Sequence, residues 1–226
     1  MSESVLIVGA GNGLSASFAR LCHSNGMRVM LAARNIDKLA ALAKETDASV
    51  VACDASDPGD VERMFVNADE SIGTPDIVVY NPSTSARGPV SEIDKNAVRD
   101  ALLITCYGGF LVVQEAAKRM LPRGTGSLLL TGASASVKGF ANSSSFAMGK
   151  FGLRGLAQSS ARELAPRGIH VAHFVIDGVI QRQGSEGVND GKLDPDAIAQ
   201  SYLDIHRQHR SAWTWEVELR PWVENF

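Results

Sequence analysis

Short, unbroken apolar runs alternate with longer helical stretches along most of this chain, and that alternation constrains its fold more than any other feature. Val5–Gly9 is continuously apolar until its closing glycine, which predicts a buried strand. Val29–Ala33, Val50–Cys53, Asp76–Tyr80, Leu128–Thr131 and His170–Ile176 read the same way. Between them, Leu14, Phe18, Leu21 and Cys22 follow helical spacing until Asn25-Gly26 stops the helix. Further helices are expected at Ile36–Ala43 with Asn35 as cap, after Asp57-Pro58, at about Ser91–Ile104, Gly109–Met120 and Ser144–Ala165, and at Asp194–Arg207. Trp213, Trp215, Val217 and Leu219 alternate with Thr214, Glu216 and Glu218, the period of a half-buried strand near a sheet edge. Strand and helix in such regular turn specify an α/β fold, a doubly wound, Rossmann-type parallel sheet with helices on both faces. No repeat, low-complexity tract or linker interrupts the pattern, so residues 1–226 read as a single domain.

Composition narrows the function classes. A net charge of −3 across 226 residues argues against a basic nucleic-acid binder. No apolar run approaches the ~18 residues that span a bilayer, so no membrane partner is expected. The opening Met-Ser-Glu-Ser lacks the basic start of a signal peptide. Cys22, Cys53 and Cys106 are odd in number and widely spaced, which fits neither a disulfide framework nor a zinc cluster. The expectation is a cytoplasmic protein without a structural metal.

The first strand runs directly into Gly9-Ala10-Gly11-Asn12-Gly13-Leu14-Ser15, and a helix follows at once. Glycines let backbone approach a pyrophosphate, and a helix N-terminus presents N–H groups and a positive dipole end. A glycine-rich turn in this strand-to-helix setting points to dinucleotide binding. Its spacing, G-x-x-x-G-x-S, resembles the short-chain dehydrogenase/reductase family, whose turn reads G-x-x-x-G-x-G, with Ser15 at the third glycine.

The resemblance covers nearly the whole chain and implies further roles. Where an acidic residue would bind the ribose of NAD, this chain has Ala33 followed by Arg34, which suits a 2′-phosphate and favours NADP(H) over NAD(H). Asp54, followed by Ala55, matches the family aspartate that bonds the adenine. Tyr80-Asn81-Pro82-Ser83 matches the family's N-N-A-G, with Asn81 retained. The cofactor set implied is Gly9, Gly11, Asn12, Gly13, Leu14, Arg34, Asp54, Ala55, Asn81, Ser83, Lys150 and Gly178.

The catalytic positions depart from the family. Proton transfer there uses a tyrosine and a lysine four residues apart on one helical face, an orienting serine and an upstream asparagine. Here Phe146-Ala147-Met148-Gly149-Lys150 keeps the lysine and loses the phenol. The serine register falls on Ala133 with Ser134 beside it, the asparagine register on Thr105, and the family's Pro-Gly on Asp177-Gly178. Lys150 and Ser134 are the catalytic candidates. Ser83, Ser143, Ser144, Ser145 and Tyr107 are further candidates for the missing proton donor. Lysine qualifies where desolvation lowers its pKa.

Two functions follow: an NAD(P)H-dependent oxidoreductase acting on a small carbonyl or alcohol with a non-standard proton donor, or an NADP(H)-binding protein without turnover, serving as a redox sensor or partner subunit. His206 and His209 have a metal-compatible i, i+3 spacing but no clustered carboxylate, and read as a surface helix face. Gly149, Gly152, Gly155 and Ser159 form a small-residue strip on the Lys150 helix, and the family commonly assembles through that region. A homodimer or homotetramer is therefore expected. Ile180–Leu193, where the family places its substrate lid, is polar and glycine-rich, which suggests an open site.

Overall fold

The computed structural model describes residues 2–181 and 190–224. Its seven strands are β1 (Ser4–Val8), β2 (Arg28–Ala33), β3 (Ser49–Ala52), β4 (Ile77–Tyr80), β5 (Gly126–Thr131), β6 (Ile169–Ile176) and β7 (Glu216–Leu219). They form one sheet in the order β3-β2-β1-β4-β5-β6-β7, and every neighbouring pair is parallel. The order reverses between β1 and β4, so a crevice opens beyond their C-terminal ends, the place where open α/β sheets bind ligands.

Helices cover both faces. On one, α3 (Pro58–Ser71), α5 (Gly108–Met120) and α6 (Ser144–Leu164) bury Phe65, Val112 and Leu153 against Leu128, Leu130 and Val171. On the other, α1 (Leu14–Ser24), α2 (Ala40–Thr46) and α7 (Pro195–His206) bury Phe18, Leu42 and Tyr202 against Leu129 and Phe174. Adjacent residues of the inner strands thus serve opposite cores, which is why those strands are largely apolar.

The start signals hold at two helices. Asp57 caps α3 through the Asp60 amide at 2.7 Å, and Asp194 caps α7 through the Asp196 amide at 2.9 Å, each with proline in the first turn. Elsewhere the boundaries move. Asn35 bonds the Asp37 amide at 3.1 Å, but a 3₁₀ turn over Asp37–Leu39 precedes α2, which ends at Thr46 rather than Ala43. β7 starts only at Glu216, because the Thr214 amide ahead of it donates to Gln208 Oε1 at 2.8 Å rather than to a neighbouring strand.

The helices expected at Ser91–Ile104 and Gly109–Met120 are one. α4 (Lys95–Leu102), capped by Asp94, continues through a π-helical turn at Leu103–Tyr107 into α5. The packing explains the wide turn. A Cβ on Gly108 would lie 2.5 Å from the Ala55 carbonyl and the Tyr80 hydroxyl, so the helix presses directly on β4. The π turn loosens the helical ladder there, and the Tyr80 hydroxyl donates to the Ile104 carbonyl. Fused in this way, Lys95–Met120 is long and apolar enough by composition to cross a membrane, which the separate helices were not, although α5 within it covers the sheet.

Candidate active site

The glycine turn sits at the C-terminal end of β1, and its glycines do different work. Gly9 adopts φ +78°, and a Cβ there would lie 2.7 Å from Pro82, so close packing excludes any side chain. At Gly11 and Gly13 an added Cβ would meet nothing within 4 Å. Both therefore bare their backbone to open space, as a bound anion requires. Gly13 is also the N-cap of α1 and gives it no side-chain cap. Ser15 ties the turn together: its buried hydroxyl accepts from Asn81 Nδ2 at 2.9 Å and donates to the Gly9 carbonyl at 3.4 Å. The substitution of the family's third glycine is thus matched by the retained Asn81.

A cavity of about 360 Å³ lies beside this turn, between the ends of β1, β2, β3 and β4. Gly9, Arg34, Asp54, Ala55, Asn81 and Ser83, distant in sequence, all line it. Lys38 lines it too and was missed in the sequence; the signal was its place one turn after Arg34, on the 3₁₀ segment following β2. Asp54 accepts from the Ser56 hydroxyl at 2.6 Å and amide at 2.9 Å, and these bonds hold its carboxyl below the ordinary range, helped by nearby Arg34. A second cavity, of about 710 Å³, adjoins the other side of the turn and is lined by Asn12, Gly13, Leu14 and again Lys38. The bare glycines and the helix N-terminus fit the pyrophosphate of a dinucleotide, with Arg34 and Lys38 lining the cavity beside them.

The catalytic end is drier. Lys150, on α6, is 2% exposed, and its Nζ donates to the Thr131 carbonyl at 2.7 Å. Burial lowers its ammonium from 10.5 to about 8. The Phe146 ring lies with its centroid 5.8 Å from that nitrogen. Ser134 opens a 3₁₀ turn over Ser134–Ser136 after β5 and is half-buried, whereas Ser136 turns inward to accept from the Ala133 amide at 3.1 Å. Gly178, at φ +153°, lies under Pro221 and Leu193 and lines neither cavity.

The hydroxyl at the asparagine register, several candidate donors and the remaining tyrosines have other occupations. Thr105 is fully buried and staples the chain after β4, accepting from the Thr84 amide at 3.2 Å and donating to its carbonyl at 3.3 Å. Ser145 clamps Ala86, accepting from its amide at 2.9 Å and donating to its carbonyl at 2.7 Å. Tyr107 points outward and stacks on Phe110. The Tyr80 and Tyr202 hydroxyls are buried, both pushed up by burial, and Tyr202 donates to Thr131 Oγ1 at 3.0 Å.

The histidines correct a further expectation. α7 ends at His206, so His209 lies beyond it, and His206 is tied down by Ser127 at 2.8 Å and Glu3 at 3.2 Å. Among the described residues no group of three or more metal-ligating side chains occurs. His170 stacks on Trp213 at 4.7 Å between centroids. The small-residue strip divides: Gly149 faces Thr105 and Gly152 faces Cys106, so both admit the chain's own π turn, while Gly155 and Ser159 are exposed. The expectation for Ile180–Leu193 falls mainly on residues 182–189, outside the described residues.

The sequence profile of the enoyl-(acyl carrier protein) reductase family matches residues 9–209. Trans-4-hydroxycyclohexanecarboxylate dehydrogenase of Sinomonas cyclohexanicum is 30% identical over 215 residues, covering 88% of this chain and 82% of its own. An uncharacterised oxidoreductase of Staphylococcus aureus is 26% identical over 225 residues, 96% of each chain. Among solved structures, a short-chain dehydrogenase from Rhodopseudomonas palustris superposes with a TM-score of 0.86 at 33% identity, covering 97% of this chain and 99% of that one. With this fold, a glycine turn at the switch point and a retained α6 lysine, the chain belongs to the short-chain dehydrogenase/reductase family and is an oxidoreductase of that type.

Proposed function

We propose that this oxidoreductase uses NADP(H) on a small carbonyl or alcohol, and that Lys150 handles the proton in place of the missing phenol. The observation that carries the reading is a buried lysine whose ammonium is lowered to about 8, on the helix where the family keeps its acid–base pair. An acid or base is most effective with a pKa near the working pH. Phe146 contributes a dry wall beside Lys150 and no exchangeable proton.

The glycine turn and α1 would hold the pyrophosphate, with Arg34 and Lys38 at the 2′-phosphate and Asp54 and Asn81 bordering the same cavity. When bound, the nicotinamide supplies or accepts the hydride. Lys150 Nζ, anchored on the Thr131 carbonyl, has two N–H groups remaining and can orient the substrate oxygen and give or take its proton. Ser134 stands at the turn after β5 as a second orienting hydroxyl. A relative named for the dehydrogenation of a hydroxycyclohexanecarboxylate supports the small alcohol class.

The second reading, a nucleotide-binding protein without turnover, is favoured by one fact: Thr105 and Phe146 leave the family's relay incomplete. A panel of small carbonyls and alcohols assayed with the wild type, Phe146→Tyr and Lys150→Ala separates the two. Wild-type turnover abolished by Lys150→Ala is the expected result. NADPH binding without turnover, with activity gained by Phe146→Tyr, would establish the second reading.

We also propose that the chain self-associates as a homodimer or homotetramer. Leu103, Tyr107, Phe110, Met148 and Phe151 are exposed on the outer sides of the π turn, α5 and α6, where an apolar groove of about 780 Å³ runs. Three free cysteines suit a cytoplasmic setting.

A further inference from the structure

His173 has no part in the family's chemistry, yet it is placed where the proton must be managed. It lies on β6 with no exposed surface, on the sheet face that α6 covers. Its Nδ1 bonds Glu216 Oε2 on β7 at 3.0 Å. Glu216 is held in turn by a two-point ion pair from Arg154 on α6, at 2.6 and 2.8 Å. A carboxylate can only accept, so Nδ1 carries the hydrogen and the ring is fixed in the tautomer whose Nε2 bears a lone pair.

That lone pair has no hydrogen-bond partner among the described residues. A buried polar atom left unpaired is costly, so its retention calls for a reason. Nε2 points at Gly132, where an added Cβ would sit only 2.3 Å from it. The same peptide unit, Thr131–Gly132, offers its carbonyl to Lys150 Nζ at 2.7 Å. An unused acceptor and an ammonium with donors to spare thus flank one peptide group, both buried.

We propose that His173 is a positioning residue for Lys150, its Nε2 accepting from the lysine ammonium through one bridging water, with Glu216 and Arg154 locking the tautomer that makes this possible. A buried unused acceptor beside a buried donor with hydrogens to spare is the pairing that an ordered internal water joins. The inference rests on the reading of Lys150 as the proton-handling group. Burial lowers His173 to about 4, so the ring stays neutral and able to accept at any working pH. The charged groups facing it are Glu216 on β7 and Lys150 and Arg154 on α6. Gly132 is explained as well, since any larger residue would push the ring aside.

Nitrogen NMR of cofactor-free protein tests this without turnover. In the wild type, His173 should show a bare, hydrogen-bonded Nε2, and the Lys150 ammonium should titrate well below a free lysine. His173→Asn keeps a donor for Glu216 and leaves no atom at the Nε2 position, so Lys150 should lose its proton at lower pH, with roughly tenfold lower proton affinity. His173→Gln, which places an acceptor near the Nε2 position, should restore much of the shift. In an active enzyme the lysine limb of the kcat–pH profile should move in parallel. An unmoved Lys150 midpoint in His173→Asn, or a wild-type ring protonated on Nε2, would overturn the proposal. Coupling seen by NMR in a protein that turns nothing over would instead remove the oxidoreductase role of Lys150 and leave the coupling standing.

Discussion

Replacing Lys150 by methionine should change how stability depends on pH, by an amount the structure sets. The folded ammonium is lowered from 10.5 to about 8 by burial, while the unfolded chain keeps the ordinary value. Below about pH 8 lysine is charged in both states, and the folded protein bears the full penalty, about 3 kcal/mol. Between pH 8 and 10.5 the unfolded chain binds more protons than the folded one, so wild-type stability rises with pH. Methionine keeps the stem's bulk and removes the titration. The wild-type stability minus that of Lys150→Met should therefore climb by about 2.5 kcal/mol between pH 7 and pH 10. Taking the difference cancels the tyrosines and cysteines, which titrate in both proteins. Urea unfolding at intervals of pH, with the m-value checked for constancy, measures it. Parallel pH profiles for the two proteins would refute the claim that burial depresses Lys150.

Other perturbations follow from the site. Gly9→Ala places a methyl group against Pro82 at φ +78° and should cost roughly 2–4 kcal/mol in urea unfolding. Gly11→Ala meets nothing within 4 Å, so its stability should stay within about 0.5 kcal/mol of wild type while titration calorimetry shows weakened nucleotide binding. Arg34→Ala should weaken NADPH binding roughly tenfold or more and leave NADH unchanged, read from fluorescence titrations. Phe110→Glu, in the exposed apolar groove, should lower the assembly mass seen by sedimentation without lowering the unfolding midpoint.

The fold was legible because the inner strands are largely apolar, β7 alternates, and Asp57-Pro58 and Asp194-Pro195 mark the starts of two helices. The fused helix was not, because the π turn at Leu103–Tyr107 answers to contacts of Gly108 and Tyr80 with distant chain rather than to any local pattern. Arg34, Asp54, Ala55 and Asn81 could be read from their places at strand ends, and they do converge on one cavity. The occupations of Thr105 and Ser145 could not, since each bonds backbone on a segment it meets only in the folded chain, 21 and 59 positions away. The same holds for His173, whose partner Glu216 is 43 residues on and whose sequence setting is simply that of a core strand. Ser15 taught a smaller lesson: at a glycine position it is bonded into the turn by Asn81.

The most direct test of the account is an equilibrium titration of the purified protein with NADPH and, separately, NADH, followed by nucleotide and tryptophan fluorescence. The bare glycines, the open N-terminus of α1 and the Arg34–Lys38 pair predict saturable binding of both nucleotides, with NADPH clearly the tighter. Equal affinities would remove the 2′-phosphate role of the two cations, and no binding of either nucleotide would contradict the functional reading as a whole.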